Sequence, residues 1–150
     1  MDMPIFLNTR YVAGDGLNHL LTRARAMLAK ALDKALEVYD ITHGQGSVLW
    51  MLSTGQYATA ADLARELDID AASMTRMIDR LEKRKLMERM QRSDDRRMIK
   101  LRLTPAGLAL AEKLPAVYAE VMDASLAGFG ADELTHLRRL LSKLLANGAG

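Results

Sequence analysis

A group of polar and basic side chains recurs at helical spacing near the middle of this 150-residue chain. Ser73 and Arg76 are three residues apart and Arg76 and Arg80 four apart, so each pair shares a helix face, with Thr75 beside them. Short hydroxyl groups and arginines on such a face can bond base edges, and arginine can bond guanine through two atoms. The group predicts a helix that enters the major groove of DNA, with Arg76 as the main base contact. The alternative for each residue is a solvated surface side chain.

A second group follows, where the pattern changes to that of strands. Asp95 and Arg97 are two residues apart, and Asp95 could hold Arg97 extended by a charge-assisted hydrogen bond. An arginine fixed at a hairpin tip suits the minor groove, whose negative potential is strongest where it narrows. Arg96 and Lys100 suit contacts with phosphates, which fix register but carry little sequence information. The predicted DNA-binding residues are therefore Ser73, Thr75, Arg76, Arg80, Asp95, Arg96, Arg97 and Lys100.

Charge is concentrated around both groups. Between Arg76 and Arg102 there are eleven Lys or Arg and five acidic residues, a net charge of +6 in a chain whose total is +2. A positive segment on a mildly acidic body is typical of a protein that binds a polyanion. A solvated charged face is the alternative for the charge pattern taken alone.

The elements that carry these residues have clear sequence signals. Thr59 is placed to N-cap a helix through Leu67, and residues 68–70 form a turn before a second helix from Ala71 to about Lys85. Strands are expected over residues 86–92 and 99–103, with the turn between them at residues 93–96. Residues 57–58 are a candidate short strand against this hairpin. The centre of the chain thus reads as a helix-turn-helix followed by a basic hairpin.

Amphipathic helices flank this centre on both sides. A helix of about 25 residues is expected from Asp15 or Gly16, and a second, from about Gln45 to Ser53, follows a capping box of Thr42 and Gln45. After the hairpin, a helix runs from Pro105 towards residue 128 with a kink at Pro115, and a last helix covers about 132–146. The long apolar stripes predict packing against another subunit. The expected fold class is mainly α with a small β-hairpin (α+β).

Three stretches resemble one family closely. SDDRRMIKLRLTPAG, the preceding RLEKRKL and the earlier ITHGQGSVLWML resemble the MarR (multiple antibiotic resistance regulator) family of transcription factors. The resemblance covers the chain from about Leu17. It implies one MarR-type domain (1–150), with dimerisation helices at about 15–40 and 105–146. A winged helix-turn-helix would occupy about 42–104, with its wing at 87–104.

The resemblance also implies a function and a mode of DNA recognition. It implies a homodimer in which Asp95 orients Arg97 into the minor groove, and Ser73, Thr75 and Arg76 occupy recognition-helix positions. Lys85 departs from the pattern, because family members often carry glycine at this left-handed turn. Lys85 must therefore adopt that conformation at some cost, or the helix must close differently. The expected function is that of a sequence-specific transcriptional regulator, a repressor of a pseudo-palindromic operator.

Many members of the family are repressors that small aromatic, often anionic, ligands release from DNA. Their pocket usually lies between the dimerisation helices and the winged domain. The candidate ligand-binding residues in this chain are Arg10, His19, Tyr39, His43, Trp50 and Tyr118. The alternative is that Trp50 and Tyr118 are core aromatics and that His43 only begins a helix.

Other functional classes have little support in the sequence. There is no cysteine, the three histidines lack metal-ligand spacing, and no acid–base pair or nucleophile constellation appears. No apolar run approaches the roughly 18 residues of a membrane span, and the first residues do not resemble a signal peptide. We therefore expect a cytoplasmic protein that is not an enzyme and uses no cofactor or metal. Its expected partners are double-stranded DNA, a second copy and a small aromatic ligand. A winged-helix module that binds protein, without ligand or operator specificity, is the alternative.

Overall fold

The computed structural model describes residues 16–90 and 99–148, which form seven α-helices and one two-stranded antiparallel sheet. The helices are α1 (Leu17–Leu36), α2 (His43–Ser53), α3 (Ala60–Leu67), α4 (Ala71–Lys83), α5 (Pro105–Ala111), α6 (Leu114–Ser125) and α7 (Ala131–Gly148). The strands are β1 (Met87–Met90) and β2 (Lys100–Leu103). The predicted fold class, mainly α with a small β-hairpin, is confirmed. None of the helices in the described ranges is both long and apolar enough to cross a membrane.

Threonine caps fix where three of the helices begin. The Thr42 hydroxyl accepts a hydrogen bond from the Gln45 N–H (3.2 Å), and the Gln45 side chain accepts one from the Thr42 N–H (3.0 Å), so the predicted capping box is present. The Thr59 hydroxyl accepts from the Asp62 N–H at 3.1 Å, and Thr104 caps α5 in the same way. These local contacts place α3 and α5 where the sequence predicts them, while α2 begins at His43, two residues before the predicted Gln45.

The long first helix ends in an abrupt change of direction. α1 is followed by a 3₁₀ turn, Glu37–Tyr39, and then by Asp40 in the left-handed conformation (φ +54°). α1 is thus shorter than predicted, because the chain tightens and turns before Thr42 begins α2. This α1–α2 junction, residues 37–42, joins the first helix to the rest of the fold.

Pro115 divides the helix that the sequence predicts after the hairpin. Instead of one kinked helix, α5 ends at Ala111 and α6 begins at Leu114, with Pro115 in its first turn. Proline is tolerated there because the first N–H groups of a helix have no partner within the helix. The chain therefore starts a new helix at the proline rather than bending a continuous one.

The hairpin is tied to a third segment of backbone. Lys100 forms an isolated bridge with Thr59, and the Leu101 N–H donates to the Ala58 carbonyl at 2.7 Å. The short strand expected at residues 57–58 is thus reduced to a single bridge. β1 begins at Met87 rather than Leu86, because Leu86 still belongs to the turn that closes α4.

The core lies behind the helix-turn-helix and holds α4 from one side. Its largest fully buried side chains are Leu36, Val48, Leu49, Leu63, Met74, Ile78, Leu81, Met87 and Leu114. Three of these belong to α4, and the others come from α1, α2, α3, β1 and α6. One face of α4 is therefore fixed by packing, while the opposite face is left to solvent.

Lys85 closes α4 in the left-handed conformation, at φ +60°. The Lys85 N–H donates to the Glu82 carbonyl (2.9 Å) and the Leu86 N–H to the Leu81 carbonyl (3.0 Å), the pattern of a Schellman motif. An added Cβ on Gly107 would lie 1.8 Å from the Leu86 carbonyl oxygen, so only glycine allows α5 to start this close to the turn. The turn is thus held by its own hydrogen bonds and by the close packing of α5 against Leu86. A non-glycine residue in this conformation nevertheless costs roughly 1–2 kcal/mol.

Replacing Lys85 with glycine is expected to stabilise the fold. Glycine adopts the left-handed conformation without steric cost, so Lys85→Gly should raise the free energy of unfolding by about 0.5–1 kcal/mol, after the greater flexibility of glycine in the unfolded chain is subtracted. Urea titration at one fixed protein concentration measures the change. Lys83→Gly, inside α4, is the matched control and should destabilise. Equal destabilisation by both variants would contradict the strain at Lys85.

Candidate nucleic-acid interface

A chain of hydrogen bonds holds Arg76 on the outer face of α4. The Asp70 carboxylate caps the helix and accepts from both the Ser73 N–H and the Ser73 hydroxyl, each at 2.8 Å. The Ser73 oxygen in turn accepts from an Arg76 Nη at 3.0 Å. One nitrogen of the guanidinium is thus held by Ser73, while the Arg76 side chain as a whole remains exposed. Sequence reasoning missed Asp70, although an aspartate just before a helix, followed three residues later by Ser, is a recognisable cap signal.

The charged form of Asp70 is the one that caps the helix. The Ser73 N–H, with a smaller effect of the Ser73 hydroxyl, lowers the pKa of Asp70 below its ordinary value of 3.8. A lowered folded-state pKa means that this contribution to stability is fully present above the unfolded-state pKa and is lost as pH falls through the folded-state pKa. The cap therefore weakens only in acid, below about pH 4.

Replacing Asp70 with asparagine should separate the effect of the helix cap on stability from the effect of its negative charge. Asn caps helices about as well as Asp, so Asp70→Asn should keep the N-cap. Its stability should fall less than that of wild type between about pH 4 and pH 2, because it has no carboxylate to protonate at this position. Asp70→Ala should lower stability at pH 7 as well. Urea midpoints measured from pH 2 to pH 7 test both variants. If wild type and Asp70→Asn declined identically in acid, the ionised cap would play no part in stability.

Other predicted residues share the exposed side of α4. Arg80 is exposed, and so is Thr75, whose hydroxyl donates to the Ala71 carbonyl at 2.9 Å and keeps its lone pairs as acceptors. Lys83 lies one turn further on and is exposed too. No carboxylate in residues 16–90 or 99–148 forms an ion pair with Arg80 or Lys83. The outer side of the helix therefore presents cations and acceptors to a partner.

Arg89 of β1 removes the acidic charge that α4 would otherwise show. Its guanidinium contacts Asp79 at 2.6 Å and Glu82 at 2.9 Å, and the main-chain N–H of Arg89 donates to the Glu82 carboxylate at 3.2 Å. The hydrogen bond that the Arg89 guanidinium donates to the Asp79 carboxylate is the main cause that raises the pKa of Arg89. The contact also ties the first strand to α4 and fixes the direction of the hairpin. Sequence reasoning missed Arg89, because its partners lie seven and ten residues away, a separation without a local signature.

The predicted hairpin contacts are only partly within the described residues. Lys100 begins β2 opposite Met90 and is half-buried. Asp95, Arg96 and Arg97 lie outside the described residues, in the segment that connects the two strands. Their assignment to the minor groove and to phosphates stays a prediction.

A concavity lies beside the outer face of α4, where the start of α2 meets it. Its cavity volume is about 240 Å³. The residues that line it are Thr42, Gln45, Ser73, Arg76, Met77 and Arg80. It combines two guanidinium groups with hydroxyl groups and the apolar side of a methionine. Such a lining suits a small planar anion.

Two of the residues predicted to bind a ligand, Tyr39 and His43, lie at or beside the α1–α2 junction. His43 begins α2, where its N–H and ring Nδ1 both contact the Asp33 carboxylate of α1, at 2.7 and 2.8 Å. The His43 N–H is the main cause that lowers the pKa of Asp33. The Tyr39 ring lies beneath the Lys113 Nζ, 5.7 Å from its centroid. These two aromatic residues therefore have structural partners.

The remaining candidates are spread over three positions. Tyr118 of α6 packs on α2, where a Cβ added at Gly46 would lie 2.5 Å from its hydroxyl, and burial raises the pKa of the Tyr118 phenol. Trp50 of α2 is 40% exposed, His19 of α1 is half-buried, and Arg10 lies outside the described residues. None of the five candidates within the described residues lines the concavity beside α4. Within the same residues, no group of three or more His, Asp or Glu is placed to hold a metal ion.

Comparisons with known proteins agree on one family. The family model described as MarR family matches residues 41–99. YhbI of Bacillus subtilis, an uncharacterised HTH-type transcriptional regulator, is 36% identical over 115 residues, which cover 77% of this chain and 75% of the relative. A MarR mutant from E. coli, complexed with operator DNA, has a TM-score of 0.80 at 26% identity and covers 95% of this chain and 99% of that one.

A further solved structure concerns regulation by a small molecule. It describes the regulation of DNA binding of Bordetella bronchiseptica BpsR by 6-hydroxynicotinic acid. Its TM-score is 0.78 at 27% identity, and the match covers 89% of this chain and 96% of that one.

Proposed function

The chain belongs to the MarR family of transcriptional regulators, which are not enzymes, and from that premise we propose that it is a homodimeric repressor of a pseudo-palindromic operator. The observation that carries the proposal is the hydrogen-bonded series Asp70–Ser73–Arg76 on an exposed helix face. It prepares a guanidinium for bidentate bonding to guanine at little further entropic cost. The +6 segment around it supplies the attraction to phosphates.

The proposed dimer rests on apolar surface that a single chain leaves uncovered. α7 has no buried residue, and its exposed leucines are Leu137, Leu140, Leu141, Leu144 and Leu145. Leu17, Leu20 and Met27 of α1 are more than half exposed. A contiguous apolar face of this kind marks an interface. Pairing it with a second copy would place two α4 helices on one side of a duplex.

A symmetric dimer implies a symmetric site on DNA. Two α4 helices that enter successive major grooves on one side of the duplex require half-sites about 10 bp apart, centre to centre. We further propose that Asp95 aims Arg97 into the adjacent minor groove, while Arg96 and Lys100 contact phosphates. This part of the proposal rests on the resemblance of the hairpin to the family wing.

Release by a small aromatic acid is the third part of the proposal. The concavity beside α4 supports it, because a carboxylate between Arg76 and Arg80 would occupy the same donors that the operator needs. The regulation of BpsR by an aromatic acid supports the ligand class. The alternative is a pocket between the dimerisation helices and the winged domain, for which the candidate residues are Arg10, His19, Tyr39, His43, Trp50 and Tyr118.

Selection from random duplexes tests the proposal as a whole. The full-length protein should enrich a pseudo-palindrome, and binding to it should weaken with a slope of log K against log salt near −7 if about eight phosphates are neutralised. A thermal-shift screen of aromatic acids, followed by a band-shift with each hit, tests release. A protein that enriches no sequence and binds DNA only weakly would instead support a winged-helix module for protein partners.

A further inference from the structure

Arg84 connects the end of α4 to the α1–α2 junction. It is the C-cap residue of α4, yet its guanidinium reaches a segment more than forty residues earlier in the chain. One Nη donates to the Tyr39 carbonyl at 3.2 Å, and the other donates to the Asp40 carbonyl. Arg84 therefore bridges the helix proposed to read DNA and the end of the first helix.

The acceptors explain why an exposed side chain can matter here. Both are main-chain carbonyls at a helix end, where no N–H of the same helix is available and the helix dipole favours a cation. Because Arg84 bonds the backbone of Tyr39 and Asp40, it restrains the junction itself rather than a neighbouring side chain. Asp40 has a left-handed backbone, so this is the point at which the chain changes direction. A planar guanidinium can hold both carbonyls at once, which a lysine ammonium does less rigidly.

A second contact fixes the other side of the same junction. The Asp33 carboxylate of α1 accepts from the N–H of His43, the first residue of α2, at 2.7 Å. α1 is thus tied to the start of α2 through Asp33 and to the end of α4 through Arg84. In the proposed dimer, α1 belongs to the paired part and α4 to the DNA-reading part. The orientation between them determines how far apart the two α4 helices lie.

We propose that Arg84 is a positioning residue that sets the half-site spacing accepted by the dimer. The inference rests on the proposed function, since spacing has meaning only for a dimer on two half-sites. Arg84 acts through the backbone of Tyr39 and Asp40 and needs no contact with DNA. The core still packs one face of α4, so loss of the bridge would let mainly the C-terminal end of α4 shift relative to α1. Operators with altered spacing would then become acceptable.

The experiment compares operators that differ only in the distance between half-sites. The full-length protein is titrated against the selected operator and against versions with one base pair added or removed, a change that rotates one half-site by about 35°. Wild type should prefer the selected spacing by about 10-fold or more, and Arg84→Met should reduce that preference to about 3-fold or less. Arg84→Lys should fall between them. Arg65→Met is the matched control, an exposed arginine of α3 whose ion pair within the described residues is with Asp62.

Salt dependence separates positioning from a direct phosphate contact. If Arg84 only positions α4, Arg84→Met should leave the slope of log K against log salt unchanged. A slope smaller by about 0.9 with the spacing preference intact would make Arg84 a phosphate contact and overturn the inference. An unchanged preference in Arg84→Met also overturns it. Should Arg84→Met fail to fold, Arg84→Lys decides: a spacing preference below that of wild type supports the inference, and a preference equal to that of wild type overturns it. If wild type binds with no spacing preference, the proposed dimer fails and the inference fails with it.

Discussion

Replacing Arg76 with alanine removes a contact from both half-sites, so it is expected to lower affinity for the operator by about 30-fold or more and to leave binding to unrelated DNA nearly unchanged. A bidentate contact with guanine is worth about 1–3 kcal/mol of discrimination, and the cost falls on the specific complex because unrelated DNA offers mainly phosphates. Ser73 holds the guanidinium of wild type in place at 3.0 Å, so little of the binding energy is spent on ordering it. Fluorescence anisotropy with both duplexes at several salt concentrations measures the two affinities.

Two controls sharpen this result. Arg76→Lys keeps the charge and loses the planar pair of donors, so it should retain non-specific binding while losing most of the discrimination. Arg65→Ala removes an exposed arginine from α3 that is not among the predicted DNA contacts, and it should change neither affinity appreciably. If Arg76→Ala weakened both duplexes equally, Arg76 would be a phosphate contact instead of a base contact.

Placing aspartates on the apolar face of α7 is expected to separate the dimer and abolish tight operator binding. Leu137 and Leu144 are seven residues apart on one helix face and are 39% and 47% exposed in the single chain. Leu137→Asp combined with Leu144→Asp would bury uncompensated carboxylates at the proposed interface, while the same positions remain solvated in a monomer. Without a second linked half-site contact, operator affinity should fall by about 100-fold or more.

Sedimentation equilibrium and anisotropy on the same samples test this expectation. The double variant should sediment as a monomer with native circular dichroism, because no residue of α7 is buried in the single chain. Ser142→Asp adds one aspartate on the polar side of α7, away from the centre of the leucine face, and should remain dimeric. A double variant that still dimerises would contradict the assignment of α7 to the interface.

The helix starts could be predicted from sequence because their causes are local. Thr42, Thr59 and Thr104 each cap a helix through a residue three positions later, a pattern visible in any single chain. The alternation of apolar and basic residues likewise predicted β2. The conformation of Lys85 could not be predicted from the sequence, because family members often have glycine at this position. The structure shows that Lys85 adopts the left-handed conformation and that hydrogen bonds close the turn around it.

The contacts that orient α4 could not be predicted, because they depend on segments brought together by folding. Arg84 bonds carbonyls 44 and 45 residues away, and Arg89 joins a strand to two carboxylates of a helix. In the sequence, both appear as two more cations in a basic segment. The sequence predicted that Ser73, Arg76 and Arg80 lie on one face of α4, but it did not predict the long-range contacts of Arg84 and Arg89; that the α4 residues contact DNA stays a prediction. The concavity was missed for the same reason, since α2 and α4 meet only in the folded chain.

The most direct test of base reading by α4 is methylation protection at guanine N7, an atom that faces the major groove. The full-length protein bound to its selected operator should protect guanines in two clusters about 10 bp apart, on one side of the duplex. Arg76→Ala, at a concentration that still saturates the site, should lose protection at one guanine in each cluster. Saturated binding with no protected guanine N7, or with a single cluster, would contradict a dimer that reads the major groove through α4.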